Sequence, residues 1–406
     1  MADLTSGAGA SPAMRSNLSA FQIDMRGKRV CFWGAPVDSV VAGGSLLDQL
    51  AASGANTGNM FIGYGLFNNT IAEHKSFHPG FHQLPADRFD EQYDALFIPA
   101  SNFINPSSDF QAQYDYFSKV KAPIFCFGLG SQILPDQDII LKPGTEKLIR
   151  LIAERSGSVG VRGTFTAEIL WRMGLRNITI TGCPSLLGFS EAPLQRLLET
   201  RPTTEKLAVN FSNNVRRHSI DTNSFAATEN ALFQRATELN SFYIIQNETP
   251  ELELMEAVKF NDTVHVEKML ARIRNAFGCY QNNDRFDEYL KWKTRVFFSV
   301  EPWITCLASM TASIGSRFHG NIAALHAGTP ALYLVHDMRT LELCELLRVP
   351  HLVLDRPYSA DELMEQLMGC DYSHFGRQIV RLHTEWKLFV GRNGMDVIGN
   401  DRAEAA

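Results

Sequence analysis

Short apolar segments alternate with amphipathic segments along most of this 406-residue chain. Such alternation predicts parallel βαβ units, because a parallel strand needs a crossover, usually a helix, to reach its neighbour. The segments predicted as strands in the first half are Arg29 to Trp33, Asn59 to Leu66, Ala95 to Pro99, Pro123 to Leu129, Ser158 to Arg162 and Ile178 to Thr181. Those in the second half are Leu207 to Phe211, Phe242 to Gln246, Val296 to Val300, Ala312 to Phe318, Ala331 to Val335 and His351 to Leu354. Asn59 to Leu66 also fits a helix.

The length and this pattern predict two α/β domains of similar size, at about 100–200 residues per domain. Polar residues gather from Pro184 to Thr204, which places the boundary near Thr200 to Lys206. A long amphipathic helix, Tyr372 to Phe389, is predicted to cross back onto the first domain. The expected division is a disordered tail over 1–24, domains over 25–200 and 201–371, and a C-terminal helix and tail over 372–406.

Composition excludes several classes of function. The formal net charge of −6 argues against a nucleic-acid binder, which carries a basic excess. No run approaches the ~20 apolar residues of a membrane span. The seven cysteines are scattered and never in CxxC spacing, so we expect buried free thiols and a cytoplasmic protein. His74, His78 and His82 are four apart, but Pro79-Gly80 between them predicts a loop rather than a metal-binding helix.

The turn Ser316-Arg317-Phe318-His319-Gly320 is the clearest candidate site. It lies between a predicted strand and a short predicted helix, where ligands bind in open α/β sheets and where helix N–H groups favour an anion. Arg317 would contact a carboxylate or phosphate, and His319 would exchange protons near neutral pH. The alternative is a structural ion pair for Arg317 and a capping role for His319.

The chain resembles the polysaccharide pyruvyl transferase family. The resemblance rests on Ser316 to Gly320, on Gly328-Thr329-Pro330 and on Asp337 with Arg339. A second match covers Val159 to Gly182 and includes Val161-Arg162-Gly163, and a weaker one covers Gly54 to Gly58.

The resemblance implies two Rossmann-like domains that face each other across a cleft, as in GT-B-type glycosyltransferases. It also implies transfer of pyruvate from phosphoenolpyruvate to a sugar of a polysaccharide or its precursor, with a cyclic ketal formed and phosphate released. No cofactor or metal is expected. A lipid-linked acceptor would bring transient contact with a membrane surface.

Donor chemistry is expected in the second domain and acceptor binding in the first. The expected donor-binding residues are Arg162, Arg317, Phe318, His319 and Gly320, with Arg162, Arg317 and His319 catalytic. His319 would serve as acid or base with a pKa near the working pH. The candidate contacts for an acceptor or phosphate are Asn56, Asn59, Asn102, Asn210 and Ser212.

Three departures from the family pattern concern the acceptor side. Asn59 stands where many members have an acidic residue, Ala100-Ser101-Asn102 replaces a Gly-rich turn, and Gly182-Cys183-Pro184 replaces Gly-Asp-Pro. Two alternatives therefore stay open. One is a GT-B-type glycosyltransferase that uses a nucleotide sugar, and the other is a non-catalytic glycan-binding relative.

Overall fold

The structure is a computed structural model, and it describes residues 21–133, 137–211, 219–278 and 284–398. Residues 1–20 of the predicted tail, Ser212 and Cys279 therefore lie outside the described residues. Within the described ranges, no helix combines the length and the apolar character needed to cross a membrane.

The first sheet is parallel except for one strand from the C-terminus. Its parallel strands are β1 (Gln22–Phe32), β2 (Thr70–Phe77), β3 (Ala95–Pro99) and β4 (Ile124–Phe127). A parallel pair, β5 (Val159–Val161) and β6 (Ile178–Ile180), adjoins β4 through a bridge between Leu129 and Val161. The helices of this half are α1 (Leu46–Ala52), α2 (Asn59–Asn68), α3 (Ala86–Gln92), α4 (Gln111–Phe117), α5 (Pro143–Arg155), α6 (Thr164–Arg172) and α7 (Glu191–Glu199).

The second sheet is parallel throughout and has the strand order β12-β11-β10-β7-β8-β9. Its strands are β7 (Leu207–Asn210), β8 (Phe242–Ile244), β9 (Thr294–Arg295), β10 (Ala312–Gly315), β11 (Ala331–Val335) and β12 (His351–Val353). Its helices are α8 (Thr222–Glu238), α9 (Thr249–Lys259), α10 (Thr263–Ala276), α11 (Asp284–Lys293), α12 (Val300–Ala308), α13 (Phe318–His326), α14 (Met338–Leu347) and α15 (Ala360–Met368). The two sheets confirm the predicted fold class, two Rossmann-like α/β halves. The boundary near Thr200 to Lys206 stays a prediction.

The C-terminal segment returns to the first half, as predicted. Helix α16 (Ser373–Arg392) is followed by β13 (Asp396–Ile398), which pairs antiparallel with the start of β1. Trp386 of α16 stacks on Phe127 of β4 at a ring-centroid distance of 6.0 Å. Because β1 begins at Gln22, its first residues lie inside the segment predicted as a tail.

Three of the predicted elements are wrong or misplaced. Asn59 to Leu66 forms part of helix α2 rather than a strand. Most of its residues are buried between the two halves, so the helix lacks a polar face, and Phe61 lies edge-on against Trp303 of α12. Val296 to Val300 is not a strand, since β9 ends at Arg295 and α12 begins at Val300. His74 lies in strand β2, where a loop was expected.

Candidate active site

The two sheets direct the carboxyl ends of their strands at one polar cavity of about 240 Å³. Parallel sheets bind ligands at this edge because the strand-to-helix turns leave backbone and side-chain polar groups free there. The first half contributes Asn56, Asn59, Ser101, Asn102, Gln132 and Arg162 to the wall, and the second half contributes Gln246, Asn247, Arg317, Phe318, His319 and Arg339. The cavity is therefore shared between the halves.

Arg162 follows strand β5 and is only 2% exposed. Its guanidinium donates from Nε to the Gly128 carbonyl at 3.1 Å and from Nη1 to Asn102 Oδ1 at 3.1 Å. Within the described residues these partners are neutral oxygens, and burial lowers the pKa of Arg162. A buried cation without a bonded carboxylate strongly favours an anionic ligand.

The turn after β4 makes this placement possible. Gly128 has φ of +72°, and its carbonyl accepts from Arg162. A Cβ on Gly130 would lie 2.6 Å from Cδ of Arg162, so only glycine leaves room for the arginine side chain. The glycine-rich turn thus follows β4, whereas the family pattern led us to look for it after β3.

Arg317 is the N-cap residue of α13 and is engaged by the protein itself. Its Nη2 forms an ion pair with buried Glu248 and a hydrogen bond to Asn247, and its Nε donates to the Phe211 carbonyl at 2.7 Å. The side chain lines the cavity, but its charge is balanced by Glu248. This is the structural ion pair that the sequence left open as an alternative.

His319 lies half-buried in the first turn of α13. Burial, Arg162 and Arg339 hold the pKa of His319 well below its usual value of 6.5. This direction favours a neutral imidazole at neutral pH, whereas the sequence led us to expect a pKa near the working pH. A bound anion would reverse the effect of the two arginines and favour the imidazolium.

Arg339 is a charged cavity residue to which the sequence assigned no role, and the same holds for the uncharged Gln132, Gln246 and Asn247. It lies in the first turn of α14, and its Nη2 is 2.9 Å from Oδ2 of Asp337, the N-cap of that helix. Asp337 is held by Thr340, whose N–H donates to Oδ1 at 2.8 Å. The signal was present in the matched Asp337 and Arg339, but only the fold shows that this second strand-to-helix turn adjoins Ser316 to Gly320.

The remaining predicted contacts fall into two groups. Asn56, Asn59 and Asn102 line the cavity. Asn210 is 2% exposed and instead holds the turn together, accepting from the Arg317 N–H at 2.8 Å and donating to Asn321. Gly320 is buried beneath the cavity, where a Cβ would lie 2.9 Å from Gln246.

Glu342 connects the two halves beside this cavity. Its carboxylate accepts from the Thr166 N–H at 3.0 Å and from the Thr166 hydroxyl at 2.7 Å, so a side chain of α14 caps the first turn of α6. Burial raises the pKa of Glu342 to about 7.

The protein is thus a two-domain α/β protein, with two facing Rossmann-like halves and a cationic cavity between them. The model of the family described as polysaccharide pyruvyl transferase matches residues 56–338, and the chain belongs to that family. No curated protein matched the sequence.

Solved structures with a similar chain path share little sequence with this one. One is Anabaena Alr3699/HepE in complex with UDP and glucose, with a TM-score of 0.41 and 11% identity over 90% of this chain and 95% of that chain. Another is Methanocaldococcus jannaschii UDP-GlcNAc 2-epimerase, with a TM-score of 0.39 and 11% identity over 89% of this chain and 99% of that chain. At such scores the likeness carries no functional argument.

Proposed function

We propose that the protein transfers pyruvate from phosphoenolpyruvate to a sugar of a polysaccharide or its precursor, forming a cyclic ketal and releasing phosphate. The observation that carries the proposal is the buried Arg162 guanidinium, which faces His319 and Arg339 across a cavity in a member of this family. The glycan or lipid-linked acceptor, the absence of a cofactor and the cytoplasmic location stay predictions.

The charges of the cavity suit the donor. Phosphoenolpyruvate carries a phosphate and a carboxylate. Arg162 supplies a cation with no ion-pair partner among the described residues, and Arg339, although paired with Asp337, supplies a second guanidinium from the opposite half. The N-terminus of α13 adds N–H groups and a favourable dipole. Arg317, balanced by Glu248, shapes the wall and holds Asn247 in place rather than adding net charge.

The reaction needs proton transfers that His319 is suited to make. The first sugar hydroxyl adds to the enol carbon as the methylene gains a proton and becomes a methyl group. The second hydroxyl then displaces phosphate, and its proton leaves with the phosphate. A neutral imidazole can accept a hydroxyl proton, and the negative charge of the donor would stabilise the imidazolium that results.

The direct test is phosphate release from phosphoenolpyruvate over a panel of glycan acceptors. We expect Arg162→Gln to weaken phosphoenolpyruvate binding by at least about 30-fold, the lower end of the cost of losing a buried charge contact. Arg162→Lys should recover part of that loss. Lys147→Gln, on the exposed side of α5, serves as the surface-charge control and should bind normally.

Full turnover in both His319→Ala and Arg162→Gln would refute the assigned roles. Protection against thermal unfolding by a nucleotide, with none by phosphoenolpyruvate, would instead favour a nucleotide-sugar glycosyltransferase. Binding of phosphoenolpyruvate without turnover over a broad panel would favour the non-catalytic relative.

A further inference from the structure

Cys183 is the residue of the first half that contacts the ring of His319. It precedes the short 3-10 helix Pro184–Leu186, and its side chain is fully buried. Its Sγ atom lies 3.5 Å from Nε2 of His319. This contact brings together a thiol from one half and an imidazole from the other.

The charged groups that face this ring are cationic. Arg162, from the start of α6, and Arg339, from the start of α14, both disfavour the imidazolium. The acidic side chains at this end of α14 have other partners, since Asp337, the N-cap, pairs with Arg339 and Glu342 accepts from Thr166. On the side of α2, Gly58 lies against the side chain of His319. A Cβ on Gly58 would be 3.1 Å from Cβ of His319. In the described residues the partner at Nε2 is therefore the thiol.

A thiol and a carboxylate would act differently at this position. A carboxylate beside an imidazole orients the ring and also stabilises its charged form. A protonated thiol is a weak hydrogen-bond partner and orients the ring without adding negative charge. A carboxylate would also form an ion pair with Arg162 and so compete with an anionic ligand for that cation.

We propose that Cys183 is a positioning residue for His319, and that the Cys183 thiol orients the imidazole without placing beside it the negative charge that a carboxylate would bring. The proposal rests on the proposed role of His319 in proton transfer. It makes the donor itself the source of the charge that stabilises the imidazolium, so that the ring becomes charged only when substrate occupies the cavity.

Three variants separate orientation from charge. Cys183→Ser keeps a neutral hydrogen-bonding group and should stay close to the wild type. Cys183→Ala should lower kcat by about 10- to 100-fold with little change in the KM for phosphoenolpyruvate, because the ring is no longer oriented. Cys183→Asp should move the acidic limb of the pH–rate profile upward by about 1 to 3 pH units and raise that KM, because the carboxylate stabilises the imidazolium and engages Arg162.

The charge state of His319 can be read without any turnover. In the histidine-labelled, ligand-free protein, with the signal assigned by its loss in His319→Gln, NMR titration should show a neutral ring at neutral pH in the wild type and in Cys183→Ser. The ring of Cys183→Asp should titrate at higher pH. An imidazolium in the free wild-type protein, as a thiolate–imidazolium pair would give, contradicts the proposal, as do identical titrations of Cys183→Asp and the wild type.

The proposed function can fail separately from this inference. If His319→Ala turned over normally, the catalytic role of His319 would be lost, while the NMR titrations would still show whether Cys183 controls its charge. If the titrations differed as expected but Cys183→Ala kept full kcat, the positioning role would be refuted and the proposed function would stand.

Discussion

Burial and two guanidinium groups disfavour the charged form of His319 and hold its pKa well below 6.5. Binding of an anion between Arg162 and Arg339 would remove most of that repulsion. At the scale of single residues, ligand binding and protonation of this ring are therefore linked, and the sign of the linkage follows from the charges.

This linkage predicts that phosphoenolpyruvate binding takes up protons at His319. The bound state raises the pKa of the ring, so it holds more protons than the free state, and affinity should increase as the pH falls. Calorimetry near neutral pH in buffers of different ionisation enthalpy measures the protons taken up. His319→Gln should show less uptake than the wild type. Equal uptake by the two proteins would mean that the proton goes elsewhere, for example to the donor phosphate.

At the scale of elements, the turn between β4 and α5 positions Arg162 because its glycines leave room for the guanidinium. A Cβ at Gly130 would contact Cδ of Arg162 at 2.6 Å and its Nε at 3.2 Å. The backbone of Gly130 does not need a positive φ, so the main chain tolerates alanine there, and the crowding comes from side chains, first Arg162 and then Asn102 Oδ1 at 3.1 Å. The function of this turn is therefore tied to the position of one guanidinium.

Gly130→Ala should weaken phosphoenolpyruvate binding by about tenfold or more, because the guanidinium must move away from its position in the cavity. The melting temperature should change little, since the turn keeps its backbone conformation. Gly391→Ala is the matched control, as a Cβ there meets no atom within 4 Å. Normal binding by Gly130→Ala would show that the position of Arg162 is not critical for the donor.

How far the sequence predicts these elements depends on their surroundings. Strands β3 and β11 match their predicted bounds, because every residue in them is buried and their apolar runs are uninterrupted. Helix α2 was missed because burial between the halves removes the polar face that marks a helix. Strand β2 was missed because it is only partly buried and carries Glu73, His74 and Lys75 in succession in place of an apolar alternation.

The site was predictable where its residues are adjacent in sequence and not where the fold assembles them. Ser316 to Gly320 occupies a strand-to-helix turn, although the strand ends at Gly315 and α13 already begins at Phe318. The pairing of Arg317 with Glu248 and the contact of Cys183 with His319 join residues far apart in the chain. No local pattern indicates such pairs.

On the scale of the whole molecule, the capping of α6 by Glu342 makes the stability of the contact between the two halves depend on pH. Burial raises the pKa of this carboxyl to about 7, above its usual value of 4.5. The folded protein therefore holds this proton up to a higher pH than the unfolded chain does. The stability that the group contributes is present below pH 4.5 and is lost as the pH rises towards 7.

Glu342→Gln should thus flatten the decline in melting temperature between about pH 5 and pH 7, since glutamine stays neutral throughout. Buried Glu251, whose pKa is raised to about 8, contributes in the same direction, so Glu251→Gln is the comparison variant for a carboxyl that does not join the halves. The melting temperatures of the two variants and the wild type, measured across this pH range, test the prediction. An unchanged slope in Glu342→Gln would show that its carboxyl does not titrate there.

The pairing of β13 with β1 has a consequence for biosynthesis. Residues 396–398 follow every element of the second half in the chain, yet they add a strand to the sheet that the first strand begins. A nascent chain on the ribosome can form the second half while β1 still lacks one edge partner and Phe127 still lacks the Trp386 ring that covers it. The half that carries Arg162 therefore depends on residues that are synthesised after the whole of the other half.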